Sequence, residues 1–166
     1  MKTFYLLRHA KAEPKSIDKD FTRRLNPDGI KQVQELAGYW KKKAYEVDFV
    51  MCSAAVRTEQ TLDGLRPSLN TDNMLISNNF YGIEEDKMLH TIQGLNEPFD
   101  NVLWVGHNPG VAFFAMRMAI KAPEPLLKGF STCSLCAFQI NIENWSDLDW
   151  HMGEVIDYWS PQEISN

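Results

Sequence analysis

Apolar residues in this chain fall into short, nearly unbroken runs separated by longer stretches at helical spacing. Thr3–Leu7 (TFYLL) predicts a buried strand. A charged loop follows from about Lys11 to Arg24, and Asn26-Pro27 then opens a helix. Asn caps free N–H groups, Pro tolerates the first helical position, and Asp28 suits the helix dipole. Ile30, Val33, Leu36, Ala37 and Trp40 keep one apolar face, and Lys41–Lys43 place positive charge at the helix end. Val47–Cys52 predicts a second strand, Ala55–Leu65 a helix, Met74–Ser77 a short strand and Lys87–Leu95 a helix. Asn101–Val105 (NVLWV) has the pattern of a central strand. Gly106-His107-Asn108-Pro109-Gly110 ends it, and Val111–Ile120 reads as an apolar helix. Ala122–Thr132, with Pro123 and Pro125, reads as a loop. Leu135–Ile142 and Asp149–Ile156 pair as a hairpin turning near Glu143–Asp147, and the chain after Trp159 is expected to fray.

This alternation predicts an α/β fold: a three-layer α/β/α sandwich around a mostly parallel sheet, with a C-terminal hairpin. The 166 residues suit a single domain over 1–166, and 44% hydrophobic with 23% charged residues is a globular composition. Seventeen basic against 22 acidic side chains give 17 − 22 = −5, which argues against general binding to nucleic acid or an anionic membrane. The N-terminal MKTFYLLRHAKAE meets charge too early for a signal peptide, and no apolar run approaches the ~20 residues of a membrane span. A cytoplasmic protein is expected. The cysteines, Cys52, Cys133 and Cys136, are odd in number. The lone CxxC at Cys133–Cys136 precedes an alternating apolar run, so buried strand cysteines are the expectation.

In parallel α/β sheets ligands bind beyond the carboxyl ends of the strands. Three strand ends here carry unusual residues: Arg8-His9, then Ser53 with Arg57 one helical turn on, then Gly106-His107-Asn108. Parallel neighbours would converge two histidines and two arginines. Guanidinium groups and an imidazolium form a cage for a tetrahedral oxyanion. A neutral imidazole is a competent nucleophile near neutral pH. His9 can therefore attack phosphorus while Arg8, Arg57 and His107 neutralise the equatorial oxygens. Gly106 would let backbone approach the anion, the helix after Pro109 would add its dipole, and Asn108 would orient a loop or donate to the ligand. A metal held by His9 and His107 competes with this reading, but flanking arginines repel a dication.

These residues resemble the histidine phosphatase superfamily, the phosphoglycerate mutase-like fold. Its Arg-His-Gly signature stands here as Leu7-Arg8-His9-Ala10, with Ala for Gly. A second block is matched by Ser53, Arg57, Thr58 and Thr61, and a third by Gly106-His107. Asp20, Arg23, Leu25 and Gly29 are similar to a block of the small SixA-type phosphohistidine phosphatases. The resemblance implies His9 as phosphoacceptor and Arg8, Arg57 and His107 as the phosphate pocket, with Ser53 and Asn108 among the substrate-binding residues. It also implies no metal, no cofactor, and cytoplasmic action on protein phosphohistidine. Asp20 is the better candidate for a general acid; holding Arg23 or its own loop is its competing role. Glu84, Glu85 and Asp86 could serve as the acid, or as a solvated cap for the helix at Lys87, which is the favoured reading.

The expected partner is a phosphorylated protein, a phosphohistidine domain, or else a small phosphorylated metabolite, with neither nucleic acid nor membrane involved. A non-catalytic phosphoryl-binding module is the reading from a different class; retention of the nucleophile, both arginines and the second histidine speaks against it. A mutase would need an enclosing lid, for which little chain is left.

Overall fold

The computed structural model describes residues 1–16, 19–96 and 98–161. The tail expected to fray lies largely outside them. Six strands form one sheet in the order β3-β2-β4-β1-β5-β6. The strands are β1 (Lys2–Arg8), β2 (Phe49–Ser53), β3 (Met74–Ser77), β4 (Asn101–Gly106), β5 (Leu135–Ile140) and β6 (Gly153–Trp159). β3, β2, β4 and β1 run parallel, while β5 and β6 are antiparallel additions. The helices are α1 (Pro27–Lys43), α2 (Val56–Leu65), α3 (Glu85–Gln93), α4 (Gly110–Met118) and the short α5 (Glu124–Leu127).

The period of two along β1 explains the layering. Phe4 and Leu6 enter a core with α3 and α4 residues such as Met88, Ile92 and Phe114. Tyr5 and Leu7 enter a second core with Val33, Leu36, Trp40 and Leu62 of α1 and α2. Two cores on opposite faces make the expected three layers.

Several local expectations are corrected. Ile30 is 51% exposed. Gly29 takes its place on the buried stripe with Val33, Leu36 and Trp40, because α1 begins against the backbone of the loop after β1. A Cβ on Gly29 would stand 2.0 Å from the Lys11 carbonyl oxygen. Asn26 caps α1 as expected, its Oδ1 accepting from Gly29 N–H at 2.8 Å. Cys52 and Cys136 are buried in strands. Cys133 is buried in the turn before β5, at a left-handed φ of 61°. The β5–β6 connection is longer than a tight turn because Trp145 and Leu148 leave it to join the core. Trp145 Nε1 donates to the Phe99 carbonyl there, at 2.8 Å. The proline-rich loop holds α5.

Candidate active site

Register brings the two histidines together. β1 and β4 pair Arg8 with Gly106, so His9 and His107 leave the sheet side by side, with ring centroids 5.3 Å apart. β2 lies on the other side of β4 and delivers Ser53 at the same end. α2 then starts at Val56 and places Arg57 in its first turn.

His9 is 6% exposed. Its Nδ1–H donates to the Ala10 carbonyl at 2.7 Å, which leaves Nε2 with the lone pair. Arg57 Nε–H meets that nitrogen at 3.3 Å. Burial first, then the charges of Arg57, Arg8 and Arg23, push the His9 pKa down to about 4, against the rise from its Ala10 bond. The ring is neutral at ordinary pH. Ala10 itself is fully buried in the α1–α2 core, and its N–H donates to Thr61 Oγ1 at 3.0 Å. Thr61 in turn donates to the Arg57 carbonyl at 2.7 Å. The Thr61 of the second block thus ties the nucleophile loop to α2.

His107 is also neutral. Burial and then Arg57 lower its pKa to about 3, so the imidazolium expected in the cage does not exist in the free site. Its Nε2 contacts Ser53 Oγ at 2.8 Å. Ser53 is fully buried and also accepts from Ala55 N–H. Its hydroxyl is hydrogen-bonded to His107, and with no exposed surface it does not line the opening. Gly106 has a packing reason: a Cβ there would lie 2.6 Å from Trp104 Nε1. Arg8 Nη1 and Asn108 Nδ2 both donate to the Phe130 carbonyl at 2.9 Å and clamp the loop before β5. Arg8 Nε, His107 Nδ1 and Asn108 Oδ1 are buried with no partner among the described residues. Unpaired buried polar atoms are costly, and three of the six among the described residues gather at this sheet end, the others being Trp40 Nε1, Ser68 Oγ and Trp104 Nε1.

Asp20 corrects the general-acid expectation. Its Oδ2 accepts from Arg57 Nη2 at 3.2 Å and from the Tyr81 hydroxyl, while Oδ1 accepts from Arg23 Nε at 3.1 Å. The Tyr81 bond, then the charges of Arg57 and Arg23, outweigh desolvation and lower its pKa to about 2. A carboxylate held this firmly has no proton to give at neutral pH; it fixes Arg57 and Arg23. Glu84 caps α3 by position, and Glu85 and Asp86 pair with Arg117 at 3.3 and 2.8 Å. These three line a cleft of about 300 Å³ that reaches His107 and Asn108. Tyr81 was invisible to sequence reasoning, because a single Tyr in a loop carries no spacing signal. Among the described residues, no three His, Cys, Asp or Glu side chains are grouped to hold a metal. No described helix is long and apolar enough to cross a membrane.

A parallel sheet with a histidine-arginine pocket at its carboxyl end is a phosphoryl-handling architecture, and comparison with known proteins gives its class. Residues 4–84 match the histidine phosphatase superfamily (branch 1), a stretch that holds His9, Asp20, Ser53, Arg57 and Tyr81. Over that stretch, just under half of its length, the chain is similar to that superfamily. It is similar in fold to two proteins described as candidate phosphohistidine phosphatases SixA. The one from Nakamurella multipartitia is 24% identical, with 96% of each chain covered and a TM-score of 0.83. The one from Agrobacterium tumefaciens is 26% identical, covering 96% of this chain and 98% of that one, with a TM-score of 0.80. A protein histidine phosphatase SixA complexed with tungstate is 21% identical, covering 95% and 96% of the two chains, with a TM-score of 0.77.

Proposed function

We propose that this protein removes phosphoryl groups from histidine on another protein, through a covalent intermediate on His9. The observation that carries the reading is the state of His9: neutral, with Nδ1 committed to the Ala10 carbonyl, Nε2 beside the Arg57 guanidinium, and the charge of Arg8 acting on the ring. In the first step Nε2 attacks phosphorus, the substrate P–N bond breaks, and the leaving imidazole keeps the proton already on its other nitrogen. Arg8 and Arg57 take up charge on the equatorial oxygens. In the second step water attacks, the Nε2–P bond breaks, and His9 leaves as a neutral imidazole with its Nδ1–H still on Ala10. The water proton goes to phosphate and solvent.

The state of Asp20 favours this substrate class. An imidazole leaves without an external acid, whereas an alkoxide from a phosphomonoester needs a proton, and Asp20 is ionised. A protein of similar fold binds tungstate, a tetrahedral oxyanion like phosphate, which suits an oxyanion-binding reading. The arginines supply the positive charge, so the reaction needs no metal. Three buried free cysteines suit action in a reducing cytoplasm. The test is hydrolysis of a phosphohistidine peptide against a panel of alkyl phosphomonoesters, in EDTA, by wild type and His9→Ala. Preference for the peptide, lost in His9→Ala, is expected. Equal or better turnover of the esters would assign a metabolite phosphatase instead. Phosphate binding with no turnover of any substrate would assign a non-catalytic module.

A further inference from the structure

Tyr81 belongs to none of the motifs that mark the site, yet its side chain meets four groups there. Its hydroxyl donates to Asp20 Oδ2. Its ring stands edge-on to His107, at 89° and 5.3 Å, and edge-on to Phe21, at 82° and 5.1 Å. The Arg57 guanidinium carbon lies 5.9 Å from the ring centre. Core packing does not account for it, since Tyr81 is 37% exposed.

The loop that carries Tyr81 is firmly mounted. Phe80 is buried against Trp104 at 4.7 Å. Gly82 takes a left-handed φ of 64° that suits glycine. The Ile83 carbonyl packs onto Gly110 so closely that a Cβ there would stand 2.3 Å from its oxygen. The Asp20 loop is tied to the site through Arg23, Arg57 and Tyr81. Tyr81 thus joins a fixed loop to a loop that holds the catalytic guanidinium.

We infer that Tyr81 is a positioning residue: its hydroxyl sets Asp20, Asp20 sets Arg57 against His9, and its ring sets the plane of His107. This rests on His9 as phosphoryl acceptor. Tyr81 and Arg57 Nη2 share one carboxylate oxygen, so loss of the phenol leaves the Asp20 carboxylate held by Arg23 and Arg57 alone; Arg57 Nη1 stays on the Asp20 carbonyl at 2.6 Å, while its Nη2 contact and its line to His9 Nε2 shift. The charged groups facing Asp20 are Arg57 and Arg23, with the Tyr81 phenol; those acting on His9 are Arg57, Arg8 and Arg23. The bond to Asp20 also raises the Tyr81 pKa, so the phenol is a hydrogen-bond donor and a poor acid.

The test is Tyr81→Phe, which removes only the hydroxyl. With a phosphohistidine peptide, kcat should fall about tenfold while KM changes little, the pattern of a lost transition-state contact. The His9 ring, followed by NMR in the free protein, should titrate above its wild-type pKa of about 4, because Arg57 sits less squarely on Nε2. In an Asp20→Asn background Tyr81→Phe should do almost nothing more. A merely structural tyrosine would lower melting temperature without moving the His9 titration. Wild-type kcat with an unmoved His9 titration, or full additivity with Asp20→Asn, overturns the inference. Failure of wild type to hydrolyse phosphohistidine would instead overturn the proposed function, while the His9 titration still reads the role of Tyr81.

Discussion

His9 works through two bonds of opposite purpose. The Ala10 carbonyl decides which nitrogen carries the proton, and the Arg57 guanidinium, donating to the other nitrogen, keeps it unprotonated. Burial is the main reason the ring stays neutral, so its titration should lie near pH 4, well below the ordinary 6.5. NMR titration of the free protein checks this, and a midpoint near 6.5 would contradict it. That Arg8, His9, Arg57 and His107 converge was legible in the sequence, because three follow apolar runs directly and Arg57 stands one helical turn past another, where the fold rule puts ligands. Their protonation states were not legible, because these depend on burial that no local pattern encodes. For Asp20 the sequence left two roles open, and the contact with Arg23 was one of them; the contacts of Asp20 with Arg57 and of Ser53 with His107 join residues distant in sequence and could not be read from it.

At the scale of elements, the site exists because β2, β4 and β1 are parallel neighbours whose ends coincide. The apolar runs showed the strands and the Asn26-Pro27 cap showed α1, but strand order is a long-range property. Ile30 and Cys133 departed from expectation where backbone met backbone or a turn intervened. Close backbone contact also governs α4. Its first residue, Gly110, has room only for hydrogen against the Ile83 carbonyl. Gly110→Ala should therefore cost about 1–3 kcal/mol and lower activity by shifting the Tyr81 loop. Urea denaturation and peptide hydrolysis measure the two effects; wild-type stability in the variant would refute the packing argument.

For the whole molecule, the net charge of −5 surrounds a pocket of arginines and neutral histidines. Composition alone concealed that local field. The two buried histidines also link stability to pH. Their folded pKa values, about 4 and about 3, lie below the unfolded 6.5. The unfolded chain thus takes up protons first as pH falls, so this stability is complete above pH 6.5 and drains away toward the folded values. The slope should reach roughly 1.4 kcal/mol per pH unit for each histidine. Asp20 acts in the same direction, but only below its ordinary 3.8. Urea midpoints at pH 7 and pH 4.5 isolate the histidines, and His107→Gln should flatten the difference. Equal midpoints in wild type would contradict the assigned neutral states.

The most direct test of the central claim is a rapid-quench reaction with a phosphohistidine peptide labelled on phosphorus. The account predicts acid-labile, alkali-stable label on the protein, mapped to His9 and absent from His9→Ala. Hydrolysis with no label at His9 across the transient phase, or label that survives in His9→Ala, would contradict it.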